Sequence, residues 1–148
     1  MNDDWFELLI ALLEADARFM VVGAHALAVH GVPRATQDLD VWIEPTPENA
    51  ARVWQALVAF GAPLADLKIT TDDLCQPGIV VQMGLPPNRI DLLTKLSGLG
   101  DFASVSKGQV RHAVRSRMIP FLGRDALIVN KRAAGRKKDL ADVEALGG

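Results

Sequence analysis

The chain has 148 residues, of which 49% are hydrophobic and 23% charged, and its formal net charge is −2. That balance predicts one packed globular domain over 1–148 and excludes a disordered or low-complexity chain. Its apolar runs are too short and too often interrupted to cross a bilayer, and Cys75, the sole cysteine, excludes an internal disulfide.

A reducing, cytoplasmic setting is therefore expected. The sequence opens Met1-Asn2-Asp3-Asp4, acidic where a secretory signal would be basic, so no targeting segment is expected either. Trp5, Leu8, Leu9, Leu12 and Leu13 recur at helical spacing and predict an amphipathic helix over 4–15. Residues 19–22 read as a short buried strand, which Gly23-Ala24 turns into a brief helix ended by Gly31. A loop over 33–36 delivers a second strand, 38–43. Thr46 caps the next helix, with Pro47 in its first turn, and Gly61 stops it after Phe60. Residues 80–83 and 90–93 read as an antiparallel strand pair joined by a turn containing Pro86 and Pro87. The Gly-rich stretch 95–107 reads as loop and 118–122 as a last strand. Residues 125–134 and 137–146 read as two helices parted by Gly135. This mixture is that of an α+β or mixed α/β domain, with Trp5, Trp42 and Trp54 in its core.

The chemistry concentrates in the second strand. Side chains alternate along a strand, so Asp38 and Asp40 share one face while Leu39 and Val41 take the buried one. Two like charges roughly 7 Å apart repel. A divalent cation between them would turn that liability into a site. An Asp-x-Asp alone is also what a half-exposed strand shows, but the apolar alternate face and the neighbouring Gly turn weigh toward a site. Asp91, within Arg89-Ile90-Asp91-Leu92-Leu93, would complete a hard-oxygen cluster suited to magnesium. Charge is unevenly spread: residues 1–100 carry 6 basic and 13 acidic side chains, residues 101–148 carry 10 and 5. The basic third suits a polyanion or a triphosphate, although Arg111, Arg115 and Arg117 read equally well as a solvated helix face. With few aromatics and no Tyr, there is no stacking platform for single-stranded nucleic acid. His25 and His30 do not share a helix face and read as structural.

Val22-Gly23-Ala24, the thirteen-residue gap and Asp38-Leu39-Asp40-Val41 resemble the signature of the polymerase-beta-type nucleotidyltransferase superfamily. Arg89-Ile90-Asp91-Leu92-Leu93 resembles its third-acid strand. The run from Lys131 through Arg136 and Asp139 to Asp142 resembles a motif of the branch that contains abortive-infection toxins of type IV toxin–antitoxin systems. One departure is Ala24, where the superfamily has Gly or Ser; it keeps the turn small and removes a hydroxyl.

The resemblance implies a small mixed β-sheet backed by helices, and transfer of NMP from an NTP to an acceptor hydroxyl with Mg²⁺ or Mn²⁺. Asp38, Asp40 and Asp91 would be the catalytic metal ligands. Backbone amides of Gly23 and Ala24 would receive the triphosphate, Lys131 and Arg136 would serve as phosphate-side cations, and Asp139 would orient the lysine or contact substrate. Arg34 and Thr36 would contact phosphate or acceptor, with a plain loop role as the alternative. The implied acceptor is RNA, with a cognate antitoxin as partner. The alternatives are a protein hydroxyl or an aminoglycoside-type small molecule as acceptor, a non-catalytic nucleotide- or partner-binding module, and a metal nuclease.

Overall fold

The computed structural model describes residues 1–148. Helix α1 (Asp3–Glu14) begins where the Asn2 side chain accepts the Trp5 amide at 2.8 Å, with Asp3 and Asp4 against its positive end. It turns Trp5, Leu8, Leu9 and Leu12 inward. Strand β1 (Phe19–Val22) is buried throughout and runs straight into helix α2 (Gly23–Val29). Strand β2 (Asp38–Ile43) follows the 33–36 loop. Helix α3 (Pro47–Phe60) is capped by Thr46, whose hydroxyl accepts the Asn49 amide at 3.2 Å, and stops at Gly61 in the left-handed region. After the one-turn helix α4 (Leu64–Leu67) come strands β3 (Val80–Met83) and β4 (Arg89–Leu93), paired antiparallel. The chain closes with the one-turn helix α5 (Phe102–Val105), strands β5 (Val110–Val114) and β6 (Arg117–Phe121), and helices α6 (Arg124–Ala134) and α7 (Lys137–Ala145). No helix is long and apolar enough to cross a membrane.

The six strands form one mixed sheet in the order β3-β4-β2-β1-β6-β5. The fold is thus the α+β arrangement expected, a mixed sheet backed by helices. β2 lies at its centre, antiparallel to β1 and parallel to β4. Leu39, Val41 and Ile43 are fully buried. Burying each such side chain contributes about 1.5–3 kcal/mol, and a one-residue slip would send Asp38 and Asp40 into the core instead. The apolar face of β2 therefore sets the register that presents its acids.

Two segments differ from the sequence reading. The stretch 95–107 is not all loop: Asp101 caps α5, accepting the Ser104 amide at 3.0 Å, and Phe102 packs edge-on against Trp42 at 5.2 Å. A single turn is too short to show a helical period. The second difference is β5, which escapes detection because four of its five residues are exposed and show no alternation. It exists as the hairpin partner of β6, turning through Arg115 and Ser116 at positive φ. Arg111, Arg115 and Arg117 consequently lie on an edge hairpin, not on a helix face. Arg115 ties that hairpin to α1, pairing with Asp3 at 2.8 Å and lying 4.9 Å over the Phe6 ring. Trp5 and Trp42 are core residues, and Trp54 packs against the core partly buried.

Candidate active site

Parallel pairing of β2 with β4 sets Asp38 opposite Arg89 and Asp40 opposite Asp91, so all three acids rise from one face of the sheet. On the other side of β2, Val22 is the register partner of Asp40, and the chain turns there through Gly23 at φ +67°. A Cβ on Gly23 would collide with Oδ2 of Asp40. Glycine is needed at this turn for its backbone angle and for the space it leaves to the carboxylate.

Arg89 stands among the acids. Its Nη2 donates to Oδ2 of Asp38 at 3.1 Å and to Oδ2 of Asp91 at 3.4 Å. Nε lies 3.1 Å from Oδ1 of Asp38, close enough for an ion pair although not aligned as a hydrogen bond. Oδ1 of Asp91 is buried with no partner at all. Burial pushes the Asp40 carboxyl up to about 6, helped by the charges of Asp91 and Asp38 and opposed by Arg89. Asp91 is also raised, by burial first, with Arg89 pulling the other way.

A cavity of about 580 Å³ opens beside this cluster. Gly23, Ala24, Arg34, Thr36, Asp38, Asp40, Lys131 and Arg136 line it. Asp91 and Asp139, the other two residues singled out in the sequence, do not. Asp139 is fully buried behind the wall, where it accepts from Arg136 Nε at 2.6 Å and from Lys131 Nζ at 3.4 Å. Burial alone would raise its pKa, but the hydrogen bonds from Arg136 and the charge of Lys131 outweigh that and hold it below the usual carboxylate range. The geometry makes Asp139 an anchor for Lys131, not a group facing the cavity.

The sequence reading missed three residues. Asp142, almost fully buried, pairs with Lys131 at 3.3 Å and with Arg34, tying α6 and α7 to the loop that precedes β2. Lys138 lines the cavity as a further cation. Arg89 has no role of its own in the sequence pattern beyond its place in the third-acid strand. Asp142 and Arg89 stood inside the quoted motifs, but nothing in spacing reveals which acid a cation will choose. Thr36 is engaged locally, its hydroxyl donating to the Asp38 carbonyl at 3.0 Å and accepting the Asp38 amide at 3.1 Å. His25 packs edge-on against Trp5 at 5.0 Å, His30 bonds the Leu122 carbonyl at 2.8 Å, and neither lines the cavity.

No three metal-ligating side chains converge at ligand geometry as they stand, with Arg89 supplying the positive charge between Asp38 and Asp91. The donor set nonetheless fits a hard divalent cation. Three carboxylates share one face, one buried oxygen of Asp91 is without a partner, and Asp40 is raised partly by neighbouring negative charge.

No family model matches the chain, and no curated protein matches it in sequence. Solved structures do match in shape. The crystal structure of the lincosamide antibiotic adenylyltransferase LnuA, bound to lincomycin, superposes with a TM-score of 0.65 at 13% identity, covering 100% of this chain and 97% of that one. The fold is that of nucleotidyltransferases. A candidate nucleotidyltransferase from Thermotoga maritima gives a TM-score of 0.59 at 14% identity over 99% of this chain and 92% of its own. The antibiotic-resistance factor ANT(2″)-Ia gives 0.64 at 12% identity over 97% and 80%. At such identities the likeness is one of fold, and the chemistry must be argued from the residues.

Proposed function

We propose that this chain is a nucleotidyltransferase that uses Mg²⁺ or Mn²⁺ to move NMP from an NTP onto an acceptor hydroxyl. The observation that carries the reading is the placement of Asp38, Asp40 and Asp91 on one sheet face, against a glycine turn and beside a cation-lined cavity. Asp38, Asp40 and Asp91 would hold the metal, which neutralises the phosphates and lowers the pKa of the attacking hydroxyl. The backbone amides of Gly23 and Ala24 would receive a phosphate oxygen, at a turn where glycine makes room for the Asp40 carboxylate. Arg34, Lys131, Arg136 and Lys138, which line the same cavity, would meet the β- and γ-phosphates. The acceptor oxygen would attack the α-phosphorus with the Asp91 carboxylate helping to take its proton, and the bond to pyrophosphate would break with the electron pair leaving on pyrophosphate.

A small-molecule acceptor of the antibiotic type is the reading best supported. Two of the three structural neighbours carry names of antibiotic-modifying or antibiotic-resistance proteins, and one matches over nearly its whole length. The basic excess of residues 101–148 favours the second reading, an RNA acceptor and a toxin with a cognate antitoxin, as does the resemblance of the Lys131–Asp142 run. The lone cysteine supports a cytoplasmic setting for either.

The deciding assay follows α-phosphate label from each of the four NTPs into aminoglycoside and lincosamide, RNA and protein pools, with Asp38→Asn as the blank. Label in the antibiotic pool supports the first reading and label in RNA the second. Unlabelled pools, with metal and NTP still binding, would make the chain a non-catalytic binding module.

A further inference from the structure

Arg89 opens β4, two positions before Asp91 on the same face of the sheet, and its register partner is Asp38. Its side chain contacts both oxygens of Asp38 at 3.1 Å and Oδ2 of Asp91 at 3.4 Å. One guanidinium thus engages three of the four oxygens of two acids, and the fourth, Oδ1 of Asp91, has no partner. The backbone beneath it is pinned, because the Trp5 indole N–H donates to the Arg89 carbonyl at 3.2 Å. Packing does not require an arginine here. The burial of β4 comes from Ile90 and Leu92, while the Arg89 side chain is 32% exposed. Without it the acids would face one another uncompensated. With it, the oxygens that a hard divalent ion would take are already engaged.

We propose that Arg89 is a displaceable counter-cation, which neutralises Asp38 and Asp91 in the metal-free protein and must release Asp38 for the metal to load, so that it sets the metal affinity of the site. The inference rests on the nucleotidyltransferase reading, in which Asp38 and Asp91 hold the metal. Two positive species compete for the same carboxylates. The charge of Arg89 therefore stabilises the metal-free fold and opposes the metal-bound one. Removing it moves the two properties in opposite directions. A salt bridge that merely shaped the site would lose both together.

The test is Mn²⁺ binding to the whole chain, measured by titration calorimetry for wild type, Arg89→Gln and Arg89→Lys near neutral pH. Denaturant unfolding of the metal-free proteins is run in parallel. Arg89→Gln is expected to bind Mn²⁺ roughly tenfold more tightly, equivalent to about 1.4 kcal/mol, while its metal-free form is less stable than wild type. Arg89→Lys keeps the charge but cannot span a carboxylate in the same two-point way, and should fall between them. Wild type that binds Mn²⁺ while a folded Arg89→Gln binds equally or less tightly overturns this inference and leaves the metal reading standing. Should Arg89→Gln fail to fold, Arg89→Lys decides: affinity no tighter than wild type counts against it. No Mn²⁺ binding by wild type or either variant overturns the metal reading and this inference with it.

Discussion

Asp40 and Asp91 face each other across the parallel pair β2 and β4, fifty-one residues apart in the chain and direct register partners in the sheet. Burial raises both carboxyls, and the charges of Asp91 and Asp38 help to push Asp40 up to about 6, while Arg89 and a hydrogen bond with Asp40 hold Asp91 back. The pair consequently holds a proton at acidic pH that a free aspartate would have lost.

This has a signed consequence for stability. A carboxyl with a pKa of 3.8 unfolded and about 6 folded binds more protons in the native state between those values, so stability falls as pH rises through that window. The loss is at most about 3 kcal/mol at about 1.4 kcal/mol per unit, less what solvent screening removes. Metal-free wild type should lose stability between about pH 4 and pH 6 relative to Asp40→Asn in urea titrations. Parallel pH curves for the two proteins would show that the acids are not coupled.

Metal should reverse that loss. An ion that binds only the folded form at a hundredfold excess over Kd adds about 2.7 kcal/mol, which raises Tm by roughly 5–10 °C for a chain of this size. Asp40→Asn should abolish most of the rise in Mg²⁺ or Mn²⁺. An identical shift in both proteins would mean that the ions bind elsewhere.

Gly23→Ala should damage fold and site together. The new Cβ meets Oδ2 of Asp40, and φ of +67° disfavours any L side chain. The expected cost is about 1–3 kcal/mol, with metal stabilisation lost as well. Gly61→Ala is the control, since φ there is +87° but the space is open. It should cost about 1 kcal/mol and leave Mn²⁺ binding intact, as chemical denaturation and calorimetry can show.

The buried cluster behind the cavity should prove stabilising through its pairing. Asp139→Asn removes a fully buried charge from between Lys131 and Arg136, at an expected cost of roughly 3 kcal/mol in urea unfolding. Arg34→Ala, whose side chain is 40% exposed, should cost about 1 kcal/mol. If Asp139→Asn unfolds like wild type, the cluster is not what holds α7 in place.

Triphosphate recognition gives a separate check. Lys131→Ala should weaken binding of an NTP relative to the corresponding NMP, while metal-only stabilisation is unchanged. Equal affinities of wild type for mono- and triphosphates in a calorimetric titration would remove the phosphate role of that wall.

Local chemistry was legible in the sequence wherever a few neighbouring residues decide the outcome. The alternation from Asp38 to Ile43, the Thr46–Pro47 start and Gly61 stop of α3, and the turn at Gly23 all rest on contacts within a few positions, so each element stood where expected. What depended on distant partners was not legible. β5 has no apolar alternation of its own and exists because β6 offers a free edge. The pairing of Asp40 with Asp91 depends on a parallel register between strands about a third of the chain apart, which no spacing prescribes. Whether a cation faces solvent, substrate or an acid is set by packing: the sequence shows Arg89, Lys131 and Asp142 as charges, and only the tertiary structure decided that Asp142 clamps Lys131 and Arg34 while Arg89 engages the acids themselves.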